Sequence, residues 1–284
     1  MPKKLTNQAK TSHQPDNSSR TNIIVALIGA AALIIAAIIG GLFLLVERGS
    51  TTPATPTPVS TITLVSDPAP TPPNISDGRR QYTLIVAGKT PDWADNLTPP
   101  DPANGWTYTE GEPTGCLFQA QGQNIQKFYD AYSHTPGYVG LCFANKSYAN
   151  FAYQVHMTVQ QGDGGGLIFR ATTPNFNSAM YRFDVRPSLQ VFNILIQTDN
   201  AKRTNPVCDS QGDTYCLSPL INKTGENTLT VIAEGNILYF YINGICVAGV
   251  KDNTISAGYI GVYAVDQKNK TDVAFDSAEV WQIS

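Results

Sequence analysis

The chain has 284 residues and a formal net charge of −3, and it is 14% charged against 42% apolar. A nucleic-acid binder normally carries a basic surplus, so that class is excluded, and a chain this apolar is not a disordered polyelectrolyte. Three His and three Met leave few soft ligands, and no Cys-x-x-Cys occurs, so zinc-cluster proteins drop out and neither a metal nor a cofactor is expected.

Residues 1–22 are polar and hold Lys3, Lys4, Lys10 and Arg20 against Asp16, which reads as a disordered tail. Residues 23–46 follow as 24 residues without charge or proline. As a helix they span about 36 Å, enough for a hydrocarbon core of about 30 Å. A cleaved signal has a shorter apolar region ahead of a small-x-small site, whereas this run exits through Val46-Glu47-Arg48. The reading is an uncleaved single-pass anchor with the bilayer as partner. By the positive-inside rule the tail is cytoplasmic and the C-terminal domain extracellular. Ala32, Ala36 and Gly40 make a small-residue ridge at which two spans can approach in weak self-association, although an alanine-rich span also meets this spacing by chance.

The linker is drawn at 47–78. Residues 50–76 hold seven Pro and seven Thr, with no Lys or Arg, and cannot build a core; they suit an extended spacer. Residues 79–284 form the extracellular domain. They show no long helical period but many short β-branched and aromatic runs between Gly, Asn, Asp and Pro. Strands are predicted at 82–86, 138–144, 151–159, 166–172, 179–185, 189–196, 228–234, 236–242, 245–250, 259–265 and 272–283, the pattern of an all-β, two-sheet antiparallel sandwich. Asn243-Gly244 marks a type I′ hairpin. The run 237–242 is apolar on both faces, which predicts an outer face covered by loops or lined for a ligand.

The order of several segments resembles the concanavalin A-like lectin and glucanase superfamily, with laminin G-like and 3-keto-disaccharide hydrolase domains nearest. They are GGGLIFR at 164–170, YRFDV at 181–185, NTLTV at 227–231, YFYING at 239–244, GYIGV at 258–262 and VAFD at 273–276. The resemblance covers about 150–284 and less of 79–149. It implies a jelly roll, with ligands on the concave face or the rim.

Among the five cysteines, an exported domain can bridge Cys116 to Cys142 and Cys208 to Cys216, leaving Cys246 as a buried thiol; four bridged cysteines allow two other pairings. Catalytic patterns are sparse. No strand carries the Glu-x-Asp-x-Glu-like run of the superfamily's glucanases. Glu110 and Glu112 stand in a Gly/Pro/Thr segment, and Glu279 is the one strand-borne Glu away from a turn. His156 reads as a half-exposed strand residue. Arg182 and Asp184, two apart, share a strand face. With Arg170 beside them they form either a cross-strand salt bridge or a sugar-binding floor on which Tyr181, Tyr239 or Trp281 stacks. Asp163, Asp266 and Asp272 are where calcium would sit, although a lone Asp in a Gly loop is ordinarily a turn. The expectation is a membrane-anchored, non-catalytic domain that binds carbohydrate or another surface ligand. The alternatives are an enzyme of the 3-keto-disaccharide hydrolase type and a structural or sensory ectodomain.

Overall fold

A computed structural model describes residues 72–97, 105–109, 111–121, 126–198, 203–208 and 215–284. The tail at 1–22, the span at 23–46 and the linker up to residue 71 lie outside them. Among the described residues no helix is long and apolar enough to cross a membrane.

The first described element is a helix, α1 (Ile75–Ile85), where composition predicted the end of the linker and a strand at 82–86. The folded domain therefore begins before the boundary drawn at 79. Asn74 caps the helix, its side chain accepting from the Ser76 N–H at 3.0 Å. The β-branched run Thr83, Ile85, Val86 misled the strand reading. Tertiary packing decides the matter: Tyr82, Ile85 and Val86 lie against Ala152, Ile232, Tyr239, Tyr241, Cys246 and Trp281. Tyr241 Oη donates to the Gly78 carbonyl at 2.7 Å, and a Cβ on Gly78 would stand 2.6 Å from Cys246 Sγ, so only glycine lets the helix lie this close.

The strands are β1 (Trp93–Asp95), β2 (Thr114–Gln121), β3 (Gln126–Ser133), β4 (Val139–Tyr148), β5 (Phe151–Gln161), β6 (Gly164–Ala171), β7 (Met180–Arg186), β8 (Val191–Gln197), β9 (Arg203–Thr204), β10 (Cys216–Leu217), β11 (Asn227–Glu234), β12 (Ile237–Ile242), β13 (Ile245–Lys251), β14 (Gly258–Val265) and β15 (Thr271–Gln282). One antiparallel sheet runs β13-β12-β11-β5-β15-β3-β2, with β1 on the far half of β15. The other runs β10-β8-β7-β6-β14-β4, with β9 beside β8. The expected two-sheet antiparallel sandwich is what the chain forms. Ten of the eleven predicted runs are strands. The missed β2 and β3 together hold three Gln and a single β-branched residue, Thr114, and β9 and β10 are two residues each.

Alternation builds the core. On β5, Phe151, Tyr153, Val155 and Met157 point inward to meet Leu167 and Phe169 of β6 and Tyr181, Phe183 and Val185 of β7. The hairpin at Asn243-Gly244 has φ of 50° and 76°, as a type I′ turn requires, and pairs Ile242 with Ile245. The outer face of β12 is covered by α1, which replaces the loop or ligand expected there. Cys116–Cys142 and Cys208–Cys216 are bridged and Cys246 is a buried free thiol. The first bridge joins β2 to β4, hence one sheet to the other rather than adjacent strands of one sheet.

Candidate functional site

Strand β7 sends Tyr181, Phe183 and Val185 into the core, so Arg182, Asp184 and Arg186 face outward. Across the sheet, Asn193 of β8 lies opposite Asp184, which lies opposite Gly166 of β6, which lies opposite Tyr263 of β14. Gly164 and Gly166 leave β6 without side chains on this face, between Asp184 and Tyr263. A Cβ on Gly166 would meet the Phe183 carbonyl oxygen at 1.8 Å, so the floor admits no side chain.

The result is a recess of about 300 Å³, walled by Arg182, Asp184, Arg186 and Asn193 on one side and by Tyr263 and Val265 on the other. Arg203, Thr204 and Asn205 at β9, with Tyr215 and Gln267, close its rim. Tyr215 stands beside Cys216, so the Cys208–Cys216 bridge holds it in place. The Arg186 guanidinium lies 4.4 Å from the Tyr215 ring centroid, and its Nη1 donates to Gln267 Oε1 at 2.5 Å. Gln267 Nε2 in turn donates to Tyr215 Oη at 3.1 Å.

The electrostatics are those of charge taken out of water. Asp184 is 2% exposed and Arg182 2%. Burial holds the Asp184 carboxyl above the usual carboxylate range, partly offset by the charges of Arg186 and Arg182. Arg186 Nη2 approaches Asp184 Oδ2 at 3.5 Å. Burial likewise pushes Tyr263 well above the ordinary phenol value and raises Tyr215. Arg203 is exposed at the rim, and partial burial first, then the like charge of Arg182, lowers it. Among the described residues, five buried polar atoms in this one recess have no protein partner: Arg182 Nε, Asp184 Oδ1, Arg186 Nε, Asn193 Oδ1 and Tyr263 Oη. Each such atom costs about 1–3 kcal/mol unless something meets it. Their convergence marks a place where water or a polar ligand would complete the hydrogen bonding.

Of the six expected ligand-binding residues, Arg182 and Asp184 are together here. Arg170 is elsewhere. A φ of 49° turns it out of the β6 alternation, and its Nε and Nη2 donate to the Ala149 carbonyl at 3.0 and 2.6 Å while Nη1 donates to Ile255 O at 3.1 Å. It staples loops and does not pair with Asp184. Tyr181 faces the core, stacked on Phe169 at 5.1 Å, with its hydroxyl bonded to Asp252. Tyr239 and Trp281 lie on the outer face of the other sheet, against α1. Sequence reasoning missed Arg186, although the alternation 182, 184, 186 pointed to it once the strand was extended by one residue. Asn193, Arg203 and Tyr263 come from other strands and Tyr215 from the residue before β10, and they carry no local signal.

Asp266 is fully buried and neither of its carboxylate oxygens has a partner among the described residues; the other polar candidates serve the framework. Asp163 accepts from the backbone N–H groups of Gln267, Lys268 and Asn269 and from Asn269 Nδ2, so it pins that loop and its oxygens are spoken for. Asp272 binds His134 Nε2 at 2.6 Å and is also bonded to Gln161. Glu279 accepts from Gln154 Nε2 at 3.1 Å on the face of α1. Asp184 and Glu279 therefore stand on opposite outer faces of the sandwich and cannot act on one bond. His156, Glu226 and Asp276 bring one ring nitrogen and two carboxylates within 4.8 Å, a donor set suited to a divalent transition metal. In the structure His156 Nδ1 lies 3.4 Å from Glu226 Oε1 and 3.7 Å from Asp276 Oδ1. Glu110 lies outside the described residues.

No family model matches the chain, and no curated protein does. Among solved structures, the carbohydrate-binding module CBM66 from Bacillus subtilis is similar over 63% of this chain and 96% of its own, at 18% identity and a TM-score of 0.48. A Bacillus subtilis protein of unknown function with a galectin-like fold is similar over 68% and 96%, at 10% and 0.48. The beta-glucanase of Bacillus licheniformis is similar over 69% and 100%, at 10% and 0.46. At such identities few side chains are shared, so the chemistry of the recess is read from this chain's own residues.

Proposed function

We propose that the protein is a non-catalytic binding protein whose recess on the outer face of the β4–β14–β6–β7–β8 sheet takes a carbohydrate. The observation that carries this reading is the convergence of five unmet, buried polar atoms on one small recess. Donors and acceptors alternate there: guanidinium N–H, carboxylate oxygen, amide oxygen and phenol hydroxyl. A ring bearing several hydroxyls answers each of them, because every hydroxyl both donates and accepts. Tyr263 and Val265 supply the apolar wall against which the C–H face of a sugar rests. Hydrolysis needs two carboxyl groups about 5–9.5 Å apart. Asp184 is the sole carboxylate among the described residues lining the recess, which favours binding over turnover.

The two bridges suit an oxidising compartment, and with the apolar run at 23–46 they support a domain displayed outside a membrane, on a Pro/Thr spacer, with the N-terminus in the cytoplasm. A glycan array probed with the full chain tests the reading. Binding is expected, and Asp184→Asn should weaken it by about 10- to 100-fold, the value of one charge-assisted hydrogen bond. Turnover of a bound glycan, or an array without a single hit, would refute it.

A further inference from the structure

The charges in the recess do not balance. Among the described residues, Arg182, Arg186 and Arg203 line it against one carboxylate, Asp184, a formal surplus of two positive charges there in a chain whose net charge is −3. Arg186 has Asp184 at 3.5 Å and Gln267 at 2.5 Å. Among the described residues, neither Arg182 nor Arg203 has a carboxylate within 4.0 Å. Arg182 is 2% exposed, its Nε has no partner, and its guanidinium lies over the Tyr263 ring, 5.5 Å from the centroid. Asp163, the next carboxylate to influence Asp184, is tied up by the backbone of 267–269.

A buried guanidinium without a counter-charge is costly, and a second one nearby adds repulsion. Sugar hydroxyls would satisfy the hydrogen-bonding groups but leave the charge uncompensated. A ligand carboxylate satisfies both, because it accepts two parallel N–H bonds from an arginine fork. The geometry points to an acidic sugar as the ligand: a hydroxylated ring whose carboxylate seats between Arg182 and Arg203 while its hydroxyls meet Asp184, Asn193 and Tyr263. This rests on the carbohydrate reading above and narrows it. Two sources share the chemistry, uronic acids and sialic acids.

The test is calorimetric titration of the full chain, at low and at moderate salt, with D-galacturonate, N-acetylneuraminate, D-galactose and acetate. One of the two acidic sugars should bind at least tenfold tighter than galactose, and which one identifies the source. The preference should shrink with salt. It should collapse in Arg203→Gln and in Arg182→Lys, which keeps the charge but loses the fork. Galactose bound as tightly as both acids would overturn the inference and leave the carbohydrate reading standing. Acetate bound as tightly as the acids would show an anion hole that reads no sugar and overturn both. No binding by any of the four sugars and anions, together with an array lacking hits, would also sink both. The comparison of ligands on the unaltered chain needs no variant, so a misfolded variant does not blunt it.

Discussion

Gly78 can be tested through the thiol it shelters. In the unaltered chain Cys246 is 4% exposed, and burial pushes its pKa up to about 11. An ordinary cysteine titrates near 8.5, so at pH 8 about a quarter of it is thiolate, against about one part in a thousand for Cys246. The thiolate term alone makes Cys246 about 200-fold slower to alkylate than a free thiol, before access is counted. In Gly78→Val the new Cβ would sit 2.6 Å from Cys246 Sγ and 2.8 Å from the Tyr239 ring, where ordinary contacts are 3.4–4 Å. The helix must lift by close to an ångström or more, and the Tyr241 hydrogen bond to the Gly78 carbonyl, about 1 kcal/mol, is lost with it. Because the other four cysteines are bridged, iodoacetamide uptake counts one site. Alkylation at pH 8 should rise by one to two orders of magnitude in Gly78→Val while the β-sheet circular dichroism persists. If folded Gly78→Val reacted as slowly as the unaltered chain, or if the unaltered chain reacted like free cysteine, the account of α1 as a close cover would be wrong.

His134 contacts Glu112 at 2.9 Å and Asp272 at 2.6 Å. Burial alone would lower its pKa, but the hydrogen bonds to the two carboxylates outweigh it and the net direction is upward. A raised folded-state pKa means stability that is fully present below the unfolded value of about 6.5 and lost as pH rises through the folded value. Urea midpoints should therefore fall as pH rises from 6 to 9, and His134→Gln should flatten that slope; an unchanged slope would contradict the assignment. Removing the inter-sheet bridge with Cys116→Ser/Cys142→Ser should cost about 3.5 kcal/mol from its separation of 26 residues, against about 2.5 kcal/mol for Cys208→Ser/Cys216→Ser with a separation of 8. The second pair should in addition weaken ligand binding, because it frees Tyr215 from the rim; the reverse order of stability losses, or intact binding, would count against these roles.

Local patterning carried most of the sandwich: period-two alternation on β5 and β7, the turn at Asn243-Gly244, and the pairing of the cysteines were legible without coordinates. The same alternation put Arg182 and Asp184 on one face. It could not say which face is open, because that depends on what lies over each sheet. The apolar outer side of β12 looked like a ligand surface and is roofed by α1, a helix whose weak propensity is overridden by packing on Tyr239, Tyr241 and Trp281. Arg170 looked like a neighbour of Asp184, and a single positive φ sends it to Ala149 and Ile255 instead. The recess itself is non-local. It needs Asn193 from β8, Tyr263 from β14 and Arg203 from β9, brought beside β7 by hydrogen-bond registers between distant segments, and a bare strip of glycine on β6 between them. Sequence alone determined which residues could share a strand face; tertiary structure decided which strands became neighbours and which charges lost their water, since burial and strand order depend on contacts between residues far apart along the chain.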